Sequence, residues 1–301
     1  MPRVAKRKSP ENKENSEKVE SVKKSKKDDA PISKETEKWI PQIAVDFYEK
    51  YGNLEPSNDI KNFKFVGPFR KLSGETDVSE IDLMMLDRHA LDLPEVQTFM
   101  TIDGGRYAFW RDSPKETEVI VVYCEEKDTF PDICVIGDRI EHAFVHMCKD
   151  EKIVEKILGC YDKEWEKEMK NVKNNRKKVK IGSAPHEVGI MVELKGGRGY
   201  RDMLKAPRVI RSTLTSLKSA KDPKNYMNVI NEEFRFMQIA NDERDFGMGL
   251  ELGHWCFLAN TDKIDKITTF SLKMAYTLLN RSEFFKILEL TMKMRSSSIK
   301  N

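Results

Sequence analysis

Three features of the sequence predict an α+β fold. Between Phe63 and Ile136, five short β-rich segments follow one another across turn-length links. After Val209 the pattern turns helical, and the first 33 residues hold almost nothing that could enter a core. The expected architecture is a mainly antiparallel sheet in the first half packed with a helical second half, behind a disordered basic N-terminal tail. This divides the chain into a tail (1–33), a sheet-containing region (34–180) and a mainly helical region (181–301).

The tail is expected to be disordered because it has no aromatic residue and few large apolar ones. It holds ten Lys/Arg against six Asp/Glu, whereas the rest of the chain holds forty-three against forty-four. The folded part is therefore close to neutral, which argues against a long basic groove for duplex DNA and against direct sequence-specific nucleic-acid binding. The clusters Lys6-Arg7-Lys8 and Lys23-Lys24-Ser25-Lys26-Lys27 have the form of a nuclear-import signal, although a merely solubilising tail would use the same residues. No apolar run reaches membrane-spanning length, and no signal-peptide core opens the chain, so no membrane association is expected. Five scattered cysteines (124, 134, 148, 160 and 256) predict reduced thiols in an intracellular compartment and exclude an ordinary zinc finger, leaving no metal site expected.

Order is expected from about residue 35. Trp39, Ile43, Ala44, Phe47 and Tyr48 fall at helical spacing, and Gly52 can end that helix. Strands are predicted over 63–66, 96–102, 107–110, 118–123 and 133–136, where aromatic and β-branched residues run between Gly, Pro and Asp. One amphipathic helix is expected over 140–158, a solvated charged helix and loop over 162–180, and a sixth strand over 188–194 leading into Gly196-Gly197-Arg198-Gly199. Helices are then predicted over 209–220, 223–240, 264–279 and 282–294, the last two with core-type stripes.

The helix from Pro223 is well marked. Asp222 suits the N-cap, Pro223 suits the first helical position, and Tyr226, Ile230, Phe234 and Met237 form the expected buried stripe. Its end is expected near Asp245, with Gly247 releasing it. Asp242, Glu243 and Asp245 therefore crowd the negative end of the helix dipole, where each misplaced acid costs about 0.3–1 kcal/mol. Local rules broken without visible compensation tend to mark functional sites, and negative potential makes a carboxylate a better proton acceptor. Neutralisation by Arg244 and nearby lysines is the bland alternative.

Sharper motifs fail on spacing. An EF-hand loop opening at Asn241 would need Gly at Phe246 and Glu at Leu252. Asp245-Phe246-Gly247 spells a kinase magnesium motif without its catalytic loop, and Gly247-Met248-Gly249 lacks dinucleotide spacing. His142 and His146, one helical turn apart, lack the Glu of a metalloprotease and fit a structural helix face.

Residues 239–253, Ile-Ala-Asn-Asp-Glu-Arg-Asp-Phe-Gly-Met-Gly-Leu-Glu-Leu-Gly, closely resemble the signature of the histone PARylation factor family, Phe-Ala-Asn-Asp-Glu-Cys-Asp-Tyr-Gly-Met-Gly-Leu-Glu-Leu-Gly. Shorter echoes occur in family order at Val66-Gly67-Pro68, Pro94-Glu95-x-Gln97-Thr98, Arg111-Asp112-Ser113-Pro114 and Gly199-Tyr200-Arg201. The resemblance implies an accessory factor, not an enzyme on its own, that docks on the catalytic domain of DNA-damage-activated poly(ADP-ribose) polymerases and completes a joint active site. It implies that NAD is bound by the polymerase and that no cofactor is bound by this chain. Glu243 would take the proton from an acceptor serine of histones and other proteins, while Asp242, Tyr200 and Arg201 make docking contacts. It further implies a nuclear location at chromatin and damage sites, and it marks Ser9 and Ser25, each after a lysine, as candidate modification sites. Arg244 and Phe246 depart from the family Cys and Tyr, and Asp202 replaces Glu after the Tyr-Arg pair. Two other readings stay open: a chromatin adaptor that grips histone tails through the acidic helix end, and a hydrolase using Asp242 with Glu243, whose side chains leave a helix in different directions.

Overall fold

The computed structural model describes residues 38–52, 54 and 63–298, all within one compact unit. The basic tail, its expected disorder, both lysine clusters, Ser9 and Ser25 lie outside the described residues. The first half comprises α1 (Gln42–Tyr51), β1 (Lys64–Phe65), α2 (Pro68–Leu72), α3 (Glu80–Met85), β2 (Val96–Ile102), β3 (Gly105–Trp110), β4 (Ile120–Glu125) and β5 (Ile133–Gly137). Helices follow: α4 (Ile140–Cys148), α5 (Glu151–Leu158), α6 (Trp165–Val179), α7 (Pro207–Ser219), α8 (Lys224–Asp242), α9 (Gly247–Ala259), α10 (Asp265–Leu278) and α11 (Ser282–Ser298).

The five strands pair in chain order and all pairs are antiparallel; short links join β2 through β5 as expected, whereas β1 reaches β2 only over residues 66–95, which hold α2 and α3 where no helix was expected. The β2–β3 turn is Asp103-Gly104, with Gly104 at φ 82°, a conformation glycine adopts without strain. β3 is buried along its whole length, so both sheet faces are covered. Because side chains alternate along a strand, Tyr107 meets His146 of α4 on one face, while Trp110 packs against His254 of α9 on the other.

α9 is the central helix of the second half and is buried at every one of its 13 positions. A helix apolar all round belongs inside a protein. Its glycines let α10 come close: a Cβ on Gly253 would collide with the Leu272 side chain, and one on Gly249 would touch Ala275. These same glycines hide the helix from propensity reasoning, since each costs about 1 kcal/mol relative to alanine in a helix.

Several expectations are corrected. The single helix over 140–158 is two, because Lys149 turns left-handed (φ 55°) and the Asp150 side chain caps α5 by accepting from Lys152 N–H at 2.9 Å. The strand over 188–194 is replaced by irregular chain with one isolated bridge, Ile181 to Ile190, and its apolar residues Val188 and Ile190 serve the core directly. On α8, Ile230 and Met237 are buried as expected, but Tyr226 is exposed and Glu233 takes a fully buried place on that face.

Candidate functional site

The site is assembled where α8 ends, α9 begins and the irregular 195–205 segment crosses both. Asp222 Oδ1 accepts from Lys224 N–H at 3.2 Å and so starts α8 as expected. At the other end the helix stops at Asp242, earlier than Asp245. Arg244 adopts φ 72°, its N–H reaches Asn241 O at 3.0 Å, and Asp245 N–H reaches Ala240 O at 2.8 Å. That bond pair is the Schellman ending, with Arg244 in the left-handed position usually given to glycine. Release therefore occurs at Arg244, and Gly247 opens α9.

The ending separates the three acids. Asp242 and Glu243 are exposed, whereas Asp245 is buried. Compensation for Glu243 and Asp245 comes from Arg201, outside the helix, whereas Arg244 is exposed and makes no ion pair with them. Arg201 Nη2 bonds Glu243 Oε2 directly and lies 3.0 Å from Asp245 Oδ2, while its guanidinium sits 5.6 Å above the Phe236 ring. The hydrogen bond to Glu243 is the main reason the guanidinium is held above its usual pKa. Arg201 thus links an exposed carboxylate to a buried one and restricts where Glu243 can point.

The segment carrying Arg201 is itself clamped. Lys195 and Arg198 pair across Gly196 (φ 58°) and Gly197 (φ 76°), both positive as a type I′ hairpin turn requires. Gly199 N–H donates to Asp245 Oδ1 at 3.0 Å, and Gly247 N–H donates to Gly199 O at 2.8 Å. A Cβ on Gly247 would sit 3.0 Å from both that oxygen and the Tyr200 ring, so the close crossing needs glycine. Further along, buried Glu233 accepts from Leu204 N–H at 3.0 Å and Lys205 N–H at 2.7 Å. Burial pushes its carboxyl pKa up, while these two donors pull it down.

Tyr200 does not stand free in solvent. It is half-buried, with its hydroxyl 2.6 Å from Glu251 Oε2 and 3.1 Å from Asp202 Oδ1. Glu251, on α9, is 1% exposed and also accepts from Ser183 N–H at 2.9 Å. Burial raises the pKa of both groups; for Tyr200 the hydrogen bond to Glu251 adds to it.

Sequence reasoning brought Tyr200, Arg201, Asp242 and Glu243 forward, and the fold places all four on or beside this junction. It missed Glu233, Glu251 and the buried role of Asp245. Glu233 was detectable as an acid on the apolar face of α8, at helical spacing from Ile230 and Met237. Glu251 was detectable as a lone acid inside an apolar run. His142 and His146 have separate partners, Glu168 Oε2 at 3.2 Å and the Tyr107 hydroxyl at 2.7 Å, consistent with a structural helix face. Among the described residues no group of three or more His, Cys, Asp or Glu is placed to hold a metal ion.

Fold and site together define a class: an α+β protein presenting one arginine-clamped, solvent-facing carboxylate beside a tightly tied Tyr-Arg segment. The family model described as Histone PARylation factor 1 matches residues 26–295, and the chain belongs to that family. It is similar to Histone PARylation factor 1 of Mus musculus, 27% identical over 322 residues with 91% of this chain and 90% of that protein covered. The Danio rerio protein of that name is 29% identical over 283 residues, covering 83% and 80%. The Bos taurus protein is 26% identical over 325 residues, covering 93% and 92%.

Proposed function

We propose that this protein is an accessory factor that docks on the catalytic domain of a poly(ADP-ribose) polymerase and supplies Glu243 as general base for modification of serine in histones and other proteins. The polymerase binds NAD and expels nicotinamide; Glu243 removes the proton of the attacking serine hydroxyl. A placed carboxylate contributes typically 10²–10⁴-fold in that role. The observation that carries the reading is the mounting of Glu243. Its side chain is 54% exposed at a helix end, yet it is tethered through Arg201 to buried Asp245. An exposed carboxylate held in one place can serve a site completed by a second protein. Asp242, exposed beside it, and the Tyr200-Arg201 segment provide the docking contacts, and Tyr and Arg are residue types enriched at binding hot spots. The basic tail clusters direct nuclear entry, towards chromatin and damage sites.

A purely electrostatic histone adaptor is less well supported, because Arg201 already pairs with two of the three acids and leaves only Asp242 exposed without an ion pair among the described residues. The test is Glu243→Gln in a serine-peptide ADP-ribosylation assay with a polymerase catalytic domain, run to saturation in factor. Transfer should fall by about two to four orders of magnitude with docking intact. Asp242→Ala should instead weaken docking and recover in part at high concentration. Near-normal transfer with saturating Glu243→Gln would place the base elsewhere.

A further inference from the structure

We propose that Glu251 carries a proton in the folded protein and donates it to the Tyr200 oxygen, acting as the positioning residue that turns the Tyr200 hydroxyl towards Asp202 and the docking face. The inference rests on the docking role given to Tyr200 above, but its core is a count of hydrogens. Three contacts meet here: the Ser183 N–H against Glu251 Oε1 at 2.9 Å, the Tyr200 hydroxyl against Glu251 Oε2 at 2.6 Å, and the same hydroxyl against Asp202 Oδ1 at 3.1 Å. A phenol has one hydrogen to give. If Glu251 were ionised, two carboxylates would compete for it; buried Glu251 would keep it, and exposed Asp202 would lose its bond to Tyr200 and turn to solvent. With a proton on Glu251 Oε2 every position is matched. Ser183 N–H donates to Oε1, the Glu251 carboxyl O–H donates to the tyrosine oxygen, and the tyrosine O–H donates to Asp202.

The surroundings agree. The titratable groups facing the Glu251 carboxyl are Tyr200 and Asp202, both from the crossing segment, and Asp202 disfavours a second negative charge. The 181–190 segment offers only the backbone of Gly182 and Ser183, with a Cβ on Gly182 placed 2.6 Å from Oε2 and 2.9 Å from the Tyr200 oxygen. On α9 itself the neighbouring Trp255 indole donates to Ser183 O at 3.1 Å and also acts on the Glu251 carboxyl; with Tyr200 and Ser183 it favours the charged form, but burial outweighs these three and the pKa stays raised. Among the described residues no cation forms an ion pair with Glu251. A buried carboxylate with no cation beside it is costly, and taking up a proton removes the cost.

The experiment has two arms. In the first, the carboxyl carbons of ¹³C-labelled free protein are followed by NMR. At about pH 6, where ordinary glutamates (pKa about 4.3) are ionised, the Glu251 carbon should still show the shift of a neutral acid. If it titrates with the exposed glutamates, the proposal is overturned, whatever the polymerase does. In the second arm, binding to a polymerase catalytic domain is measured against pH. Glu251→Gln offers an amide N–H to Tyr200 and an oxygen to Ser183. It should bind within about threefold of the parent and lose the weakening expected as rising pH ionises Glu251. Glu251→Leu should bind at least about tenfold more weakly, about 1.4 kcal/mol. Equal losses in Gln and Leu variants, both folded by near-ultraviolet circular dichroism, would show that the charge is needed and overturn the proposal. If the first arm succeeds but the parent protein does not bind the polymerase, it is the docking reading that fails.

Discussion

Glu233→Gln is the most direct way to test whether the 199–205 segment is fixed by α8. Glu233 is fully buried, and its two oxygens each accept one backbone N–H, from Leu204 at 3.0 Å and Lys205 at 2.7 Å. Glutamine keeps the size but has only one carbonyl oxygen, so one N–H must face an amide N–H₂. Hydrogen bonds to a charged acceptor contribute about 1.5–3 kcal/mol each, and a donor left facing a donor sits at the upper end, about 2–3 kcal/mol. The segment holds no regular secondary structure, so the loss should appear as local opening. At about 1.4 kcal/mol per tenfold, amide exchange at Leu204 or Lys205 should quicken roughly 30- to 150-fold, while amides in the middle of α9 change little. Docking should weaken too, because Arg201 lies on the loosened stretch. The assay is native-state hydrogen exchange by NMR. Protection at both amides unchanged to within about threefold would show that the carboxylate is not what holds them.

Arg201→Ala should weaken polymerase docking at least tenfold, about 1.4 kcal/mol, measured by titration calorimetry on a variant shown to be folded; unchanged affinity removes Arg201 from the interface. Arg244→Gly should raise stability by about 0.5–1 kcal/mol in urea unfolding. It relieves the left-handed strain at φ 72°, partly offset by the greater flexibility of unfolded glycine, and a loss of stability would refute the Schellman assignment. Stability should fall as pH drops below about 6.5. His89, His142, His146 and His186 all have pKa values lowered mainly by burial, so the unfolded chain binds more protons there, at about 1.4 kcal/mol per pH unit for each proton taken up. In His186, Nδ1 accepts from Gly189 N–H at 3.2 Å, which leaves its hydrogen on Nε2 facing His254 and no acceptor free for a second. Urea midpoints that stay flat from about pH 7.5 to about pH 5 would contradict this sign.

From β2 to β5 the sheet was legible because its information is local: each strand pairs with its neighbour in sequence across a short link, whereas the two helices between β1 and β2 were not read. The α8 start was legible for the same reason, through Asp222 and Pro223. α9 was not, because its three glycines argue against a helix one residue at a time, and only tertiary contacts explain them: the crossing 199–200 segment for Gly247, and α10 for Gly249 and Gly253. Arg201 compensates the acids from 42 residues away in sequence, so the charge pattern of the helix end alone could not reveal it. The unusual acidic ending was visible; its partner was not. The left-handed Arg244 was hidden because no propensity places arginine there, and the Schellman bonds that hold it need the whole turn to be seen.

Glu233 and Glu251, the two buried glutamates that touch the 199–205 segment, show how donor counting, more than burial, decides the charge of a carboxyl group. Both are pushed towards the neutral form by desolvation, and both tie the same crossing segment to a helix. Glu233 meets two backbone N–H groups, neither of which has another acceptor to satisfy, and a proton on either oxygen would leave one of them unpaired. Glu251 meets one N–H and one phenol whose single hydrogen is also within reach of Asp202, and here a missing proton would leave an unmatched pair of oxygens. Glu233 must therefore be ionised to hold Leu204 and Lys205, and Glu251 neutral for Tyr200 to be tied to Glu251 and Asp202 together. The segment between them carries Arg201, so the direction in which Glu243 is clamped depends on both states at once. Raising the pH should loosen the Tyr200 end and leave the Leu204 end tied, whereas acid should do the reverse. Hydrogen exchange at Arg201 and Lys205 followed across the same pH series, corrected for intrinsic exchange, distinguishes the two ends. Parallel changes at both would mean that the segment opens as one piece, and that the two carboxyls do not act separately.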